Sequence, residues 1–213
     1  MKRILITLSL AFVLFSCSND DTTNTNIQEI DNFYALTVGN SWVYKNYRYD
    51  VNTQLYEDTG VVDSLSIIAA EDILGINYFK FRRLTSGNEE GITFCNENGE
   101  HFEYLREFEG NLIRSDGSIK FTNSNYAERI LSEPSYGTLL ETLTEDEVTL
   151  AVEAGTFDCV YSERYLITTE GEQLEGLDKF YYADGFGLIY DTSSFASQGI
   201  PTIIRHLDSY SIQ

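Results

Sequence analysis

The sequence predicts an all-β protein: a single antiparallel sheet that is strongly curved, an open barrel or a sandwich, with few short helices. From Phe33 onward, short segments rich in β-branched and aromatic residues are separated by glycine or asparagine turns about every ten residues. The chain has only two prolines, so its strands can donate nearly all of their ladder hydrogen bonds. Both observations favour sheet over helix throughout this region.

The predicted strands in the first half of the chain cover residues 41–49, 60–70, 77–84, 91–95, 101–107 and 118–122. Between the fourth and fifth of these strands, Asn98 and Gly99 supply the positive φ angles that a tight hairpin turn needs. Asn111 and Gly117 mark further turns. Residues 91–122 are therefore predicted to form a meander of three strands.

The predicted strands in the second half cover residues 147–152, 157–168, 179–182, 187–191 and 200–211. Before them, residues 126–131 and 137–143 have apolar side chains at helical spacing. We expect these two stretches to form short helices or a capping loop. Neither is long enough to organise the fold.

The start of the chain has the pattern of an export signal. Residues 1–16 combine a basic beginning, an apolar stretch too short to span a bilayer, and the small residue Ser16 directly before Cys17. This pattern resembles the lipobox of bacterial lipoproteins. The resemblance implies that residues 1–16 are removed as a signal peptide and that Cys17 becomes the lipidated first residue. The alternative is an ordinary secretory signal with an incidental cysteine.

Residues 17–30 are polar and acidic and lack apolar periodicity, which predicts a disordered tether. Acidic residues directly behind the cysteine resemble the surface-export signal of Bacteroidetes-type lipoproteins. That resemblance implies an outer-membrane protein displayed on the cell surface, with the periplasmic face as the alternative. Residues 31–213 are then predicted to form one all-β domain.

The charge of the chain limits its partners. It has 14 basic and 34 acidic residues, and the formal net charge is −20. Such a surface repels phosphate backbones and anionic headgroups, which argues against nucleic-acid binding and against electrostatic docking on membranes. We therefore expect membrane attachment through the N-terminal lipid alone. Cationic partners remain open, although solubility is the simpler interpretation of the charge.

Three stretches of the chain carry a family resemblance. They read LTVGNSWVY at 36–44, VEAGTFDCVY at 152–161 and FYYADGFGLIY at 180–190, and the last strand at 207–212 adds a fourth point of similarity. They resemble a largely uncharacterised family of Bacteroidetes-type lipoproteins with an all-β domain. The resemblance implies a fold and a location but no catalytic residues.

The residues of these motifs are typical of a structural role in the fold rather than of ligand binding. The glycines Gly155, Gly185 and Gly187 permit left-handed backbone or tight bends beside strands. Large side chains around them are expected to fill the core. These side chains are Trp42, Phe157, Tyr182 and Leu188.

A search of the sequence for catalytic motifs finds no G-x-S-x-G, H-E-x-x-H, C-x-x-C or P-loop pattern. We therefore predict no catalytic residue, no cofactor and no metal site. His206, Asp208 and Tyr210 share one face of the last predicted strand and could do acid–base work, but strand alternation often produces such trios. An acidic cluster could hold calcium or form a solvated loop. It consists of Glu141, Glu145, Asp146 and Glu147.

Cys95 and Cys159 could pair in an oxidising compartment. Cys159 shares a strand face with the apolar Phe157, which predicts a buried thiol. Cys95 points opposite to Ile92 and Phe94. The alternation thus argues mildly against a disulfide.

Aromatic residues make up 14% of the chain and suggest a mode of binding to a partner. The leading hypothesis is a non-catalytic surface binding or accessory module that uses Tyr44, Tyr47 and Tyr49 to recognise an envelope protein or a glycan. The alternative is a carrier that encloses an acyl chain or another apolar ligand in its curved sheet. Its predicted lining residues are Phe79, Phe81, Phe102, Tyr104 and Phe108. A hydrolase of unrecognised type is the third hypothesis.

Overall fold

A computed structural model describes residues 32–213, and all of their regular structure is β. The predicted signal peptide, Cys17 and the predicted tether lie outside the described residues. No helix long and apolar enough to cross a membrane occurs in residues 32–213.

The described strands form one antiparallel sheet, as the turn-rich pattern predicts. In space they follow the order β6-β5-β4-β3-β2-β1-β12-β11-β10-β9-β8-β7. The first and last strands therefore lie side by side in the middle of the sheet, and β6 and β7 form its edges. The strands are β1 (Ser41–Asp50), β2 (Leu55–Ile73), β3 (Ile76–Ser86), β4 (Gly99–Phe108), β5 (Asn111–Arg114), β6 (Ile119–Thr122), β7 (Arg129–Ser132), β8 (Gly137–Val152), β9 (Gly155–Thr168), β10 (Gln173–Ala183), β11 (Gly187–Ser193) and β12 (Ile203–Ser211).

The sheet is strongly curved. Phe121 on β6 and Tyr182 on β10 are eight strands apart in the sheet order. At about 4.8 Å per strand, a flat sheet would separate them by about 38 Å. Their rings instead stack with centroids 4.0 Å apart. The two halves of the sheet must therefore fold toward each other around a common core.

The two edge strands approach each other but do not join. Arg129 at the start of β7 donates a hydrogen bond from Nη1 to the carbonyl oxygen of Ile119 on β6, at 2.9 Å. No ladder forms between β6 and β7 in the described sheet. The prediction of a single, open, strongly curved antiparallel sheet is confirmed. The sandwich alternative is wrong, because all the strands belong to one sheet.

The sequence motifs hold the core together, as predicted. Trp42 is 3% exposed, and its indole Nε1 donates to the carbonyl oxygen of Phe186 at 2.8 Å. Two residues along the same face of β1, the hydroxyl of Tyr44 donates to the carbonyl oxygen of Leu188 at 2.9 Å. These two bonds join the first motif to the third across the interior, so each buried polar tip has a partner.

The segment before β1 fills one end of the curved sheet. Residues 33–36 are all buried, although they belong to no strand. The ring of Tyr34 packs edge-on against Phe121 and Tyr182, and its hydroxyl donates to the carbonyl oxygen of Gly110 at 2.6 Å. Burial raises the pKa of the Tyr34 hydroxyl above its ordinary value. This segment thus packs between β6 and β10.

The predicted strand at 91–95 is wrong, and so is the hairpin at Asn98-Gly99. Residues 87–98 form a loop in which the Asn88 side chain replaces the ladder. Asn88 Oδ1 accepts from the Ile92 amide at 2.6 Å, and Nδ2 donates to the Asn96 carbonyl at 2.8 Å. Asparagine side chains compete with strand pairing in this way. The meander of three strands exists, but it consists of β4, β5 and β6.

The two predicted helical stretches are also wrong. Residues 126–131 lead into β7, and residues 137–143 are the first half of β8. Pairing with β7 on one side and β9 on the other holds this half of β8 extended. The helical spacing of its leucines therefore belongs to a strand in which burial does not alternate strictly, since the neighbours Leu140 and Glu141 are both buried.

Asp178 on β10 gives a stability prediction. Its Oδ1 is buried without a hydrogen-bond partner in residues 32–213, and burial raises the pKa of its carboxyl to about 6. The folded protein therefore binds a proton more tightly than the unfolded chain, and it loses stability as the pH rises from about 4 to 6. We expect Asp178→Asn to raise the free energy of unfolding by about 1–2 kcal/mol at pH 7. This range is smaller than the full pKa shift implies, because solvent partly screens the Asp178 carboxylate.

The test is urea unfolding of both proteins at pH 7 and at pH 4. The gain should disappear at pH 4, where the parent aspartate is protonated in the folded state. Asp184→Asn, at an exposed turn position, is the matched control and should change little at either pH. An equal gain at both pH values would contradict the assignment to charge burial.

Candidate functional site

The concave face of the sheet contains a cavity of about 470 Å³. Its wall comes from the segment before β1 and from strands on both sides of the central β1–β12 pair. One part of the wall is apolar or aromatic, and another part is charged. The apolar and aromatic lining residues are Tyr34, Leu36, Trp42, Tyr44, Leu65, Phe81, Phe102, Leu105, Leu112, Tyr182 and Leu188, and the charged or titratable ones are Asp63, Arg83, His101, Glu103, Arg114, Lys120 and Arg205.

Strand register brings these residues to one face. Trp42 on β1 lies opposite Leu65 on β2, and Leu65 lies opposite Arg83 on β3. Arg83 in turn lies opposite His101 on β4. Directly paired residues point to the same side of a sheet, so this row crosses the cavity from its apolar part to its charged part. The Trp42 ring stacks on Phe81, with centroids 6.2 Å apart.

The cavity wall includes a buried network around Asp63, whose side chain is 1% exposed. Asp63 accepts hydrogen bonds from Asn46, Thr85 and Asn96. Arg205 Nη1 lies 3.6 Å from Asp63 Oδ2. This carboxylate thereby joins β1, β3, β12 and the loop at 87–98.

Arg205 has a second carboxylate partner. It binds Asp191 through both Nε, at 3.0 Å, and Nη2. Burial disfavours the charge on Arg205, but Asp191 and Asp63 outweigh burial and raise the pKa of its guanidinium. Arg205 is therefore held as a paired structural cation.

A second charged group lies on the β4–β6 side of the cavity. Glu103 accepts from Arg114 Nε at 2.8 Å and from Lys120 Nζ. Burial raises the pKa of the Glu103 carboxyl, but the two cations outweigh it, so that this pKa is lowered overall. Burial lowers the pKa of the Lys120 ammonium despite the nearby Glu103. The single carboxylate of Glu103 therefore forms ion pairs with two cations.

The predicted lining residues of the carrier hypothesis are only partly together. Phe81 lines the cavity, and Phe102, which is 49% exposed, lies at its rim. Phe79 packs against the core without lining the cavity. Tyr104 has Lys80 over its ring at 5.5 Å, and Phe108 is 51% exposed.

The three predicted binding tyrosines are separated. Tyr44 is buried and lines the cavity, with the guanidinium of Arg205 5.4 Å from its ring centre. Tyr47 points to the opposite face of β1 and stacks on His206. Tyr49 packs edge-on against Tyr56, near the first hairpin turn. They do not form one surface.

Sequence reasoning missed the charged residues of the cavity. Arg83, Arg114, Lys120 and Arg205 come from four strands, and no motif connects them. One local signal was present: Arg83 stands two residues after Phe81 and therefore shares its strand face.

The outer face of the sheet carries a row of aromatic rings across five strands. Tyr161 stacks on Tyr181 at 4.9 Å, and Tyr181 packs edge-on against Tyr190 at 5.4 Å. His206 stacks between Tyr190 at 5.5 Å and Tyr47 at 4.5 Å. All five rings are half-buried. Cross-strand ring pairs of this kind stabilise a sheet and also form a flat aromatic surface.

The trio on β12 does not work as a unit. His206 Nδ1 lies 2.9 Å from Glu153 Oε2. Asp208 forms an ion pair with Lys45 at 2.6 Å. The Tyr210 ring packs against Phe157 and Phe186. Each member has a different partner, which favours the structural interpretation of His206.

The acidic cluster is divided in a similar way. Glu141 is 1% exposed and binds both Arg129 and Arg164. The other three acidic residues are exposed on β8. Within residues 32–213, no group of three or more potential ligands could hold a metal ion. The calcium interpretation is thus not supported, because Glu141 is already neutralised by two arginines.

The two described cysteines are both free thiols. Cys159 is buried beside Phe157, as the alternation predicts. Burial raises the pKa of the Cys159 thiol to about 12 and that of the Cys95 thiol to about 11. Neither thiol has the lowered pKa of a reactive cysteine.

Comparison with known proteins identifies the fold. No protein-family model matches the sequence, and no curated protein matches it. The structure resembles the crystal structure of a candidate exported protein with a YmcC-like fold from Bacteroides fragilis, with a TM-score of 0.51 and 11% identity, over 84% of this chain and 98% of that one. It also resembles a candidate lipoprotein from Parabacteroides distasonis, with a TM-score of 0.45 and 14% identity over the same shares.

Proposed function

We propose that this protein is a lipid-anchored bacterial envelope protein that binds a small molecule with an apolar body inside its curved sheet, without converting it chemically. The cavity of about 470 Å³ is the observation that carries this proposal. Its volume lies within the range of about 300–1,000 Å³ that is usual for ligand sites. An aromatic and aliphatic wall with a few convergent polar groups is also the usual composition of such sites.

The location is proposed from the sequence, with support from the fold. The lipobox at Cys17 and the acidic residues behind it favour an outer membrane anchor, with the domain at the cell surface. The structural similarity to a candidate exported protein agrees with an envelope location. A tether of about 14 residues would let the domain reach a ligand some distance from its anchor.

A second candidate function uses the outer face. The row of rings from Tyr161 to Tyr47 offers a flat aromatic surface, which suits a glycan or a protein partner. All five rings are half-buried, which reduces the aromatic area that this face offers to a partner. We therefore place it second.

The cavity proposal predicts a chain-length dependence. Each methylene group buried against an apolar wall contributes about 0.8 kcal/mol. We expect the affinity for hexanoate, octanoate and decanoate to rise by about four-fold per methylene, until the cavity is full. Isothermal titration calorimetry on the full-length chain, below the critical micelle concentration, measures this dependence.

A matched pair of variants locates the site. Leu65→Trp places a large ring in the cavity and should abolish decanoate binding, whereas Leu84→Trp, at an exposed position on β3, should not. Urea unfolding checks that both variants are folded. Binding that survives Leu65→Trp but is lost in Tyr181→Ala would assign the ligand to the outer face. A flat response to chain length would contradict the cavity proposal.

A further inference from the structure

The charge inside the cavity is opposite in sign to that of the chain. Four of the 14 basic residues line this one cavity, together with two carboxylates, whereas the whole chain has a net charge of −20. Counting Asp191, which binds Arg205 without lining the cavity, one positive charge remains uncompensated. A cavity for a neutral apolar ligand has no need of this excess charge.

The ion pairs identify which cation is in excess. Arg205 is paired with Asp191 and Asp63, while Arg114 and Lys120 share Glu103. Arg83 is the remaining cation of the cavity wall. Its neighbour Arg82 points to the outer face and is paired with Glu100.

Arg83 makes no hydrogen bond or ion pair within residues 32–213, and its Nε is buried without a partner. Burial lowers the pKa of its guanidinium, although Asp63 and Glu103 act in the opposite direction. A buried donor without an acceptor costs free energy, and a buried charge costs more. An acceptor supplied by a ligand would remove this cost.

The surroundings of Arg83 define what such a ligand would look like. Phe81 precedes it on the same face of β3, and Leu65 lies opposite it on β2. The other side of Arg83 faces His101 on β4. The guanidinium therefore lies where the apolar part of the cavity meets its charged part.

We infer that the ligand of this cavity is an amphipathic anion, whose carboxylate or phosphate binds Arg83 while its hydrocarbon part lies against Trp42, Leu65 and Phe81. This inference rests on the proposed function and adds the class of ligand to it. A guanidinium can form two parallel hydrogen bonds with either anion, so the two groups share one recognition chemistry. A free fatty acid and a lipid phosphate headgroup are the two sources.

The test compares ligands that share one hydrocarbon chain. Decanoate, decyl phosphate and decanol are titrated into the full-length chain by calorimetry. We expect both anions to bind at least about ten-fold more tightly than decanol, because a hydrogen bond to a charged group is worth about 1.5 kcal/mol or more. Tighter binding of decyl phosphate than of decanoate would point to a phosphate headgroup, and the reverse to a fatty acid.

Variants assign the effect to one side chain. Arg83→Met should weaken anion binding by about ten- to hundred-fold and leave decanol binding unchanged. Arg83→Lys keeps the charge and should restore part of the affinity, which also separates recognition from a folding defect. Arg82→Met, on the outer face, is the matched control and should bind all three ligands like the parent.

The outcomes separate this inference from the proposed function. Equal binding of decanoate and decanol by the parent would overturn the anion inference and leave the cavity proposal standing. An equal loss of anion affinity in Arg82→Met and Arg83→Met would also overturn it. The preference for anions over decanol would then come from the electrostatic field of nearby positive charges in general, and not from Arg83. Binding of none of the three ligands would overturn the proposed function itself.

Discussion

Replacing Asp63 with alanine is expected to lower the free energy of unfolding by about 3–5 kcal/mol, the usual cost of removing one partner from a buried ion pair. The carboxylate is 1% exposed and accepts hydrogen bonds from Asn46, Thr85 and Asn96. Without it, Thr85 and Asn96 lose their shared acceptor, and Arg205 keeps only one of its two carboxylates. The loop at 87–98 also loses the hydrogen bonds from Asn96 that connect it to β2.

The loss should depend on pH. Burial raises the pKa of the Asp63 carboxyl, but Arg205 and the hydrogen bonds outweigh it, so this pKa lies below its ordinary value of 3.8. A group with a lowered pKa stabilises the folded state above its unfolded pKa, and this stability is lost as the pH falls through the folded pKa. The difference between the parent and Asp63→Ala should therefore shrink below pH 3.8.

Urea unfolding, followed through the fluorescence of Trp42, measures both effects. This residue is the single tryptophan of the chain, and it is buried and lines the same cavity as Asp63. Glu57→Ala removes an exposed carboxylate from the same strand and should change stability by less than about 0.5 kcal/mol. A loss of less than about 1 kcal/mol in Asp63→Ala would contradict the role assigned to the network.

Phe121→Ala should have an effect of similar size, by a different mechanism. Phe121 is fully buried and stacks on Tyr182 across the interior, with Tyr34 against its edge. Removing a buried phenylalanine side chain costs about 3–5 kcal/mol, because the lost contacts leave a cavity. This ring also joins the two halves of the sheet, so its loss should weaken the binding of ligands that lie against Tyr34 and Tyr182.

Calorimetric melting and decanoate titration of the same variant give the two readouts. Phe108→Ala is the matched control, since Phe108 lies on the preceding hairpin and is 51% exposed. The double variant Phe121→Ala with Tyr182→Ala should be less destabilised than the sum of the single variants, because the rings contact each other. Full additivity would mean that the stacking does not couple the two halves.

Sequence patterning identifies the parts of the sheet where one side chain in two is buried. On β1, Trp42, Tyr44 and Asn46 alternate with more exposed residues, and the predicted strand matches the observed one to within one residue. Patterning gives the wrong prediction for the loop at 87–98, because the Asn88 side chain hydrogen-bonds to the backbone in place of strand pairing. Its asparagines look like a hairpin turn in sequence.

The first half of β8 shows a second limit. Glu141 is buried there between Arg129 and Arg164, which are 12 and 23 residues away in sequence. From sequence alone, a charged residue inside a leucine-rich stretch indicates the exposed face of a helix, because the sequence does not show which residues pair with that charge. Only tertiary pairing makes its burial possible.

The cavity could be predicted only in part for the same reason. Phe81 and Tyr44 were identifiable as candidates, since aromatic residues on a strand suggest a binding or packing role. The cations from β3, β5, β6 and β12 are brought together by the curvature of the sheet. That curvature depends on contacts such as Phe121 to Tyr182, between residues more than 60 positions apart.

The central position of β1 and β12 has a consequence for folding. Every other pair of adjacent described strands consists of sequence neighbours, so β1–β6 and β7–β12 are two meanders of local contacts. The seam between them pairs Ser41 with Ser211, and it must close a loop that contains nearly the whole domain. Long-range pairing of this kind forms slowly. Each meander can therefore form early, while burial of Trp42 against the third motif waits for the completed chain.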